Sequence, residues 1–120
     1  MQKVVLIIDD EESVRSYLSA LVQRSGYGAD TAGSASEALD KMRQTVYSLI
    51  IADICLPDAL SVQTWTDQVT AAAKGVPVVL ISGAPSEELE KLGQTGKVRA
   101  FLSKPFELAF IRNILKEILG

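Results

Sequence analysis

The stretch Tyr47-Ser48-Leu49-Ile50-Ile51-Ala52-Asp53, continuing into Ile54-Cys55-Leu56-Pro57, decides how this chain is read. Its apolar run has the length and uniformity of a strand buried on both faces, and it ends on a carboxylate. Desolvating an unpaired charge is expensive, so an acid at the end of a buried strand needs a reason. Three further apolar runs also end on polar groups. Val4-Val5-Leu6-Ile7-Ile8 meets Asp9-Asp10, Val78-Val79-Leu80-Ile81 meets Ser82, and Phe101-Leu102-Ser103 meets Lys104-Pro105. Acids, a hydroxyl and a lysine at four strand ends predict one assembled site.

Between these runs the apolar spacing changes to that of helices. Val14, Tyr17, Leu18, Leu21 and Val22 form an inward stripe on a first helix that Gly26 or Gly28 stops. Residues 28–33 are weakly strand-like and are expected at a sheet edge. Ser34 and Glu37 read as a capping box that opens a second helix with Ala35, Ala38, Leu39 and Met42 inward. A third helix is expected over 60–73, with Val62, Trp65, Val69 and Ala72 or Ala73 buried, Trp65 as core filling, and Lys74-Gly75 closing it. A fourth, over 86–95, offers only Leu89 and Leu92 for burial and contains Gly93, so it is expected to be weakly held. A short fifth strand over 99–103 precedes a fifth helix over 106–119. That helix has a core stripe of Leu108, Ile111, Leu115 and Ile118, with Ile114 read as core and Phe110 as a candidate partner or dimer face.

Alternating strands and helices at this spacing predict a parallel sheet with helices on both faces. The most apolar strands, the first, third and fourth, belong in the middle. The prediction is therefore an α/β, doubly wound, flavodoxin-like (βα)5 fold with strand order 2-1-3-4-5. Its topological switch point, where open α/β sheets bind ligands, falls between strands 1 and 3. Those strands end on Asp9, Asp10 and Asp53.

Composition narrows the function. With 120 residues, 48% hydrophobic and 22% charged, one globular domain over 1–120 is expected. No apolar run approaches membrane-spanning length, and Met1-Gln2-Lys3 leads straight into a strand without a visible signal peptide. The lone Cys55 cannot form an internal disulfide, which fits a reducing, cytoplasmic setting. A net charge of -3 argues against direct nucleic-acid binding, and the absence of histidine removes the commonest general base and zinc ligand.

Three neighbouring carboxylates repel, and a hard divalent cation resolves the repulsion. Magnesium prefers one or two carboxylates together with waters and a phosphate oxygen. Asp9 or Asp10 with Asp53 and a backbone carbonyl would supply such an incomplete shell. Asp53 could then attack phosphorus as a carboxylate nucleophile. Lys104 brings a point charge, Ser82 a hydroxyl and the loop at Gly83 amide donors for the equatorial oxygens. The residues themselves therefore read as a magnesium-dependent aspartyl-phosphate site.

The chain resembles the receiver domains of two-component response regulators over essentially its whole length. The matching pieces are Leu6-Ile7-Ile8-Asp9-Asp10-Glu11, Asp53-Ile54-Cys55-Leu56-Pro57, Ile81-Ser82-Gly83 and Phe101-Leu102-Ser103-Lys104-Pro105-Phe106. The resemblance implies Asp53 as phosphoacceptor, and Asp9 and Asp10 with the Cys55 carbonyl as magnesium ligands. It also implies Ser82 and Phe101 as switch residues, Lys104 as the phosphate contact and a cis peptide at Pro105. It implies a partner histidine kinase or phosphotransfer protein, and output to an effector or a homodimer through helix 4, strand 5 and helix 5. Ser61 stands where receivers commonly carry Gly, so a positive φ there would strain it or the loop has changed shape. Lys97-Val98 replaces the usual Gly-Ala before strand 5. Cys55 and Ala84 place non-amide groups by the acceptor, which predicts slow autodephosphorylation. Two alternatives remain: a pseudo-receiver that only mediates contacts, and a haloacid-dehalogenase-like phosphatase. Against the phosphatase, Glu11 stands where that chemistry needs a second Asp.

Overall fold

The uniformly apolar runs are the central strands of one sheet. The structure, a computed structural model, describes residues 2–83, 98–104 and 107–120. Its strands are β1 (Val4–Ile8), β2 (Gly28–Ala32), β3 (Leu49–Asp53), β4 (Val78–Ser82) and β5 (Ala100–Ser103). Three helices, α1 (Glu12–Arg24), α2 (Ala35–Gln44) and α3 (Val62–Ala73), and a C-terminal helix, Leu108–Leu119, complete the described elements. All pairings are parallel and the order is β2-β1-β3-β4-β5, as expected. Every residue of β3 and β4 is buried, whereas the edge strands β2 and β5 are mostly half-buried.

Period-two alternation divides the strand side chains between two cores. Leu6, Ile8, Ile50, Ala52 and Leu80 meet α2 and α3 through Ala38, Trp65 and Val69. On the other face Val5, Ile7, Leu49, Ile51 and Val79 meet α1 and the C-terminal helix through Leu18, Val22, Ile111 and Leu115.

The helix ends follow their local chemistry. Gly26, at φ +95, ends α1: its amide donates to the Gln23 carbonyl (3.0 Å) while the Tyr27 amide donates to Val22 (3.2 Å). A side chain would disfavour that left-handed turn. Ser34 Oγ accepts the Glu37 amide (3.1 Å), but the Glu37 carboxylate reaches back to the Gly33 amide (2.7 Å) rather than to Ser34. At the close of α3, Lys74 and Gly75 both take positive φ, 51 and 89.

Two expectations need correction, and the alternative left open at Ser61 is decided. Tyr17 is 44% exposed, so it lies at the rim of the α1 stripe, which Leu18, Leu21 and Val22 carry. Leu119 is buried on the C-terminal helix where Ile118 was expected, with Ile118 only partly buried against the core. Ser61 has φ -159 and ψ 164, an extended conformation open to any residue, so it is not strained. Its hydroxyl instead accepts the Thr64 amide (3.0 Å) as the N-cap of α3. The expected helix over 86–95, Ala84, Lys97 and Pro105 lie outside the described residues.

Candidate functional site

Parallel strands end together, so the residues that follow β1, β3, β4 and β5 meet at one edge of the sheet. Asp9 follows β1 and Asp53 ends β3, and both are almost fully buried, at 1% and 4% exposure. Asp10 is exposed beside them. Carboxylate oxygens of Asp9, Asp10 and Asp53 all lie within 4.8 Å of one another.

The two buried acids are wired alike. Asp9 Oδ1 accepts the Glu11 amide and Asp53 Oδ1 accepts the Cys55 amide, each at 2.9 Å and each two residues on. An aspartate at a turn makes this local bond readily. The second oxygens of both, Asp9 Oδ2 and Asp53 Oδ2, accept from Lys104 Nζ at 3.0 Å. Glu11 lies farther from that ammonium, at 3.9 Å. Burial works against the charge of Lys104, but its hydrogen bonds to Asp53 and Asp9 outweigh this and raise its pKa above the ordinary lysine value. Three carboxylates beside one half-buried ammonium leave negative charge uncompensated. That donor set of hard oxygens fits a divalent cation such as magnesium.

Lys104 reaches this position because its own amide donates to the Ser82 carbonyl (2.7 Å), extending the β4–β5 ladder one residue past Ser103. Ser82 is fully buried at the end of β4. Gly83 follows it on the surface, and no described atom lies within 4 Å of where a Cβ would stand. Leu80 pairs with Phe101, and Phe101 packs half-buried on the α2–α3 face of the sheet. By strand alternation Ser82 and Phe101 belong to that same face. Phe110, 58% exposed, is on the C-terminal helix and outside this cluster. Cys55 is exposed as a residue, but partial desolvation of its thiol and the nearby Asp53 charge push its pKa up, with Lys104 opposing.

Sequence reading missed three supports. Arg15 Nη1 donates to the Asp9 carbonyl (2.7 Å), and its guanidinium passes so close to Gly33 that a Cβ there would come within 3.2 Å of Nη1. Asp58 accepts the Ala35 amide (2.9 Å) and the Ser36 amide (3.0 Å), tying the loop after Asp53 to the start of α2. These amides hold its carboxyl below the usual range. Trp65 Nε1 donates to the Asp53 carbonyl at 2.9 Å. None of these carries a spacing signal, because each joins a side chain to a backbone atom chosen by the fold.

Residues 5–116 match the family described as the response regulator receiver domain. The alkaline phosphatase synthesis transcriptional regulatory protein PhoP of Bacillus subtilis is 32% identical over 120 residues, which cover 99% of this chain and 49% of PhoP. The polar-differentiation response regulator DivK of Brucella ovis is 30% identical over 122 residues, which cover 100% of this chain and 98% of DivK. The chain thus spans about half the length of PhoP and nearly all of DivK. A solved structure of the response regulator protein TrrA from Thermotoga maritima, in complex with Mg(2+)-BeF, is similar with a TM-score of 0.82 at 25% identity, over 98% of this chain and 99% of that one.

Proposed function

The chain belongs to the response regulator receiver family, and on that premise we propose that residues 1–120 act as a phosphoacceptor signalling domain with Asp53 as the acceptor. Receiver domains are signalling modules rather than enzymes in the usual sense. The observation that carries the reading is the matched wiring of Asp9 and Asp53. Each spends one carboxylate oxygen on a local amide and turns the other to Lys104.

Asp9, Asp10, Asp53 and the Cys55 carbonyl would hold Mg2+, which supplies charge compensation for the phosphoryl oxygens when bound. An oxygen of Asp53 forms the new P–O bond as the P–N bond of a partner's phosphohistidine breaks, and the bonding pair stays on the imidazole nitrogen. Lys104 turns its ammonium to a phosphoryl oxygen, while the Ser82 hydroxyl and the Gly83 amide donate to the others. The phosphohistidine belongs to a histidine kinase or phosphotransfer protein, since this chain has no histidine.

Phosphorylation replaces the single negative charge of the Asp53 carboxylate with the nearly two of an acyl phosphate and adds strong acceptor oxygens at one point. Ser82 moves toward them and Phe101 fills the space released, which is how the signal reaches residues 86–95, β5 and the C-terminal helix. There Phe110 is the candidate contact for an effector or a second copy. The Cys55 side chain carries no amide to orient an attacking water, so the phosphoaspartate is expected to decay slowly. No helix among the described residues is long and apolar enough to cross a membrane, which fits a cytoplasmic setting, and the negative net charge fits a protein partner rather than nucleic acid.

The test is intact mass after incubation with acetyl phosphate, with and without magnesium, on wild type and Asp53→Asn. A magnesium-dependent gain of one phosphoryl group that the variant lacks is the expected result. No adduct on wild type would move the reading to a contact-only pseudo-receiver.

A further inference from the structure

Asp53 is held by its side chain through Cys55 and Lys104, and its backbone is also held. The Asp53–Ile54 peptide is a rigid plane, gripped at both of its polar groups. Its carbonyl oxygen accepts from Trp65 Nε1 at 2.9 Å. Its N–H, that of Ile54, donates to the Ile81 carbonyl of β4 at 3.0 Å. Trp65 is itself fully buried, one turn into α3, between the Ser61 cap and Val69, and its amide donates to the Ser61 carbonyl at 3.0 Å. It cannot drift without moving the helix. An apolar side chain of similar bulk would fill the same space; the indole N–H is the part that core packing does not require.

We propose that Trp65 is a positioning residue for the acceptor. Its N–H fixes the plane of the Asp53–Ile54 peptide, and so sets where the Asp53 carboxylate and the Cys55 main chain stand toward metal and phosphoryl donor. This rests on the reading of Asp53 as phosphoacceptor. Groups that orient a ligand from behind typically change metal affinity or activity by about 10- to 100-fold when removed. The same bond runs from α3 to the acceptor, so a change at Asp53 is felt directly by that helix.

Because the chain contains a single tryptophan, metabolic replacement alters this position alone. The test compares wild type with Trp65→β-(3-benzothienyl)alanine, in which sulfur replaces the N–H at nearly unchanged shape, and Trp65→7-azatryptophan, which keeps the N–H as a rescue. Two measurements are made on each: amide hydrogen exchange without metal, and phosphorylation by acetyl phosphate across a magnesium titration. The benzothienyl protein is expected to exchange its Ile54 and Cys55 amides at least ~10-fold faster relative to β1. It is also expected to lose at least ~10-fold in phosphorylation rate at sub-saturating magnesium, with azatryptophan restoring both. Unchanged exchange at Ile54 and Cys55 overturns the inference whatever the phosphorylation rate does. So does faster exchange with an unchanged magnesium profile, which would leave only a structural bond. If wild type itself accepts no phosphoryl group, the phosphoacceptor reading fails first and the positioning role goes with it. Should the benzothienyl chain not fold, Trp65→Phe is measured in the same way, with the same outcomes.

Discussion

A buried hydroxyl on α3 has no partner among the described residues: Thr66 is 1% exposed and its Oγ1 makes no hydrogen bond. Leaving such a group unpaired costs about 1–3 kcal/mol, while valine keeps the branched shape without the polar atom. Thr66→Val is therefore expected to gain about 1 kcal/mol in denaturant unfolding. Lys104 stands at the opposite extreme, since its ammonium is shared by two buried carboxylates. Removing one partner of a buried ion pair typically costs 3–5 kcal/mol. Lys104 keeps some solvent contact, so Lys104→Met is expected to lose about 2 kcal/mol in thermal unfolding. Excess magnesium is expected to restore more stability to the variant than to wild type, because the cation then meets unopposed acids. At this scale Asp9, Asp53, Ser82 and Lys104 were legible in the sequence as polar residues ending apolar runs. Arg15, Asp58 and Trp65 were not, because their partners are main-chain atoms that no residue type reveals.

The helices show how local chemistry substitutes for a missing glycine. Ser61 caps α3 in an extended conformation, so the position does not demand a left-handed turn. Ser61→Ala is expected to destabilise by about 1 kcal/mol and Ser61→Gly by only a few tenths, measured by urea unfolding. A large gain from glycine would show instead that the backbone prefers positive φ there. The loop between Asp53 and this cap is pinned from the other side by Asp58 at the start of α2. Asp58→Ala is expected to speed exchange of the Ala35 and Ser36 amides and to lower the thermal midpoint. The capping box at Ser34 and Glu37 was readable from spacing, but the return of Glu37 to Gly33 was not, because one residue of slack is decided by the preceding turn.

Across the whole molecule, pairing a strand edge to its helix links stability to pH. Asp30 on β2 accepts from Tyr47 Oη at 2.6 Å and from Lys41 Nζ at 3.1 Å, and Lys41 also donates to the Thr31 carbonyl. Burial, then the hydrogen bond to Asp30, raises the Tyr47 pKa well above its ordinary value of 10.0, and the Lys104 pKa is raised above 10.5. For groups raised on folding, the stabilisation is complete below the unfolded pKa and is lost as pH rises through the folded one. Stability is thus expected to fall progressively above about pH 10. Tyr47→Phe is expected to flatten that fall in a urea-midpoint series. Asp30 and Asp58 are lowered, so their contributions are present above the ordinary carboxylate value of 3.8 and are lost as pH falls below it.

The sequence by itself determined the strands, the order 2-1-3-4-5 and the strand ends at which Asp9, Asp53, Ser82 and Lys104 meet. Those properties follow from which runs can be buried on both faces and which residue ends each run, and both are printed in the order of amino acids. Only the tertiary structure decided how the site is wired. It gave one oxygen of each aspartate to an amide and the other to Lys104, set Trp65 behind Asp53, and turned Asp58 onto α2. It also moved Tyr17 to the rim, buried Leu119, and relieved Ser61 of a left-handed turn. The physical reason is common to all of these. Burial pattern is a property of residue type at a repeat, whereas a particular contact, or a place at the rim of the core, depends on how segments are set against one another to within a few ångströms.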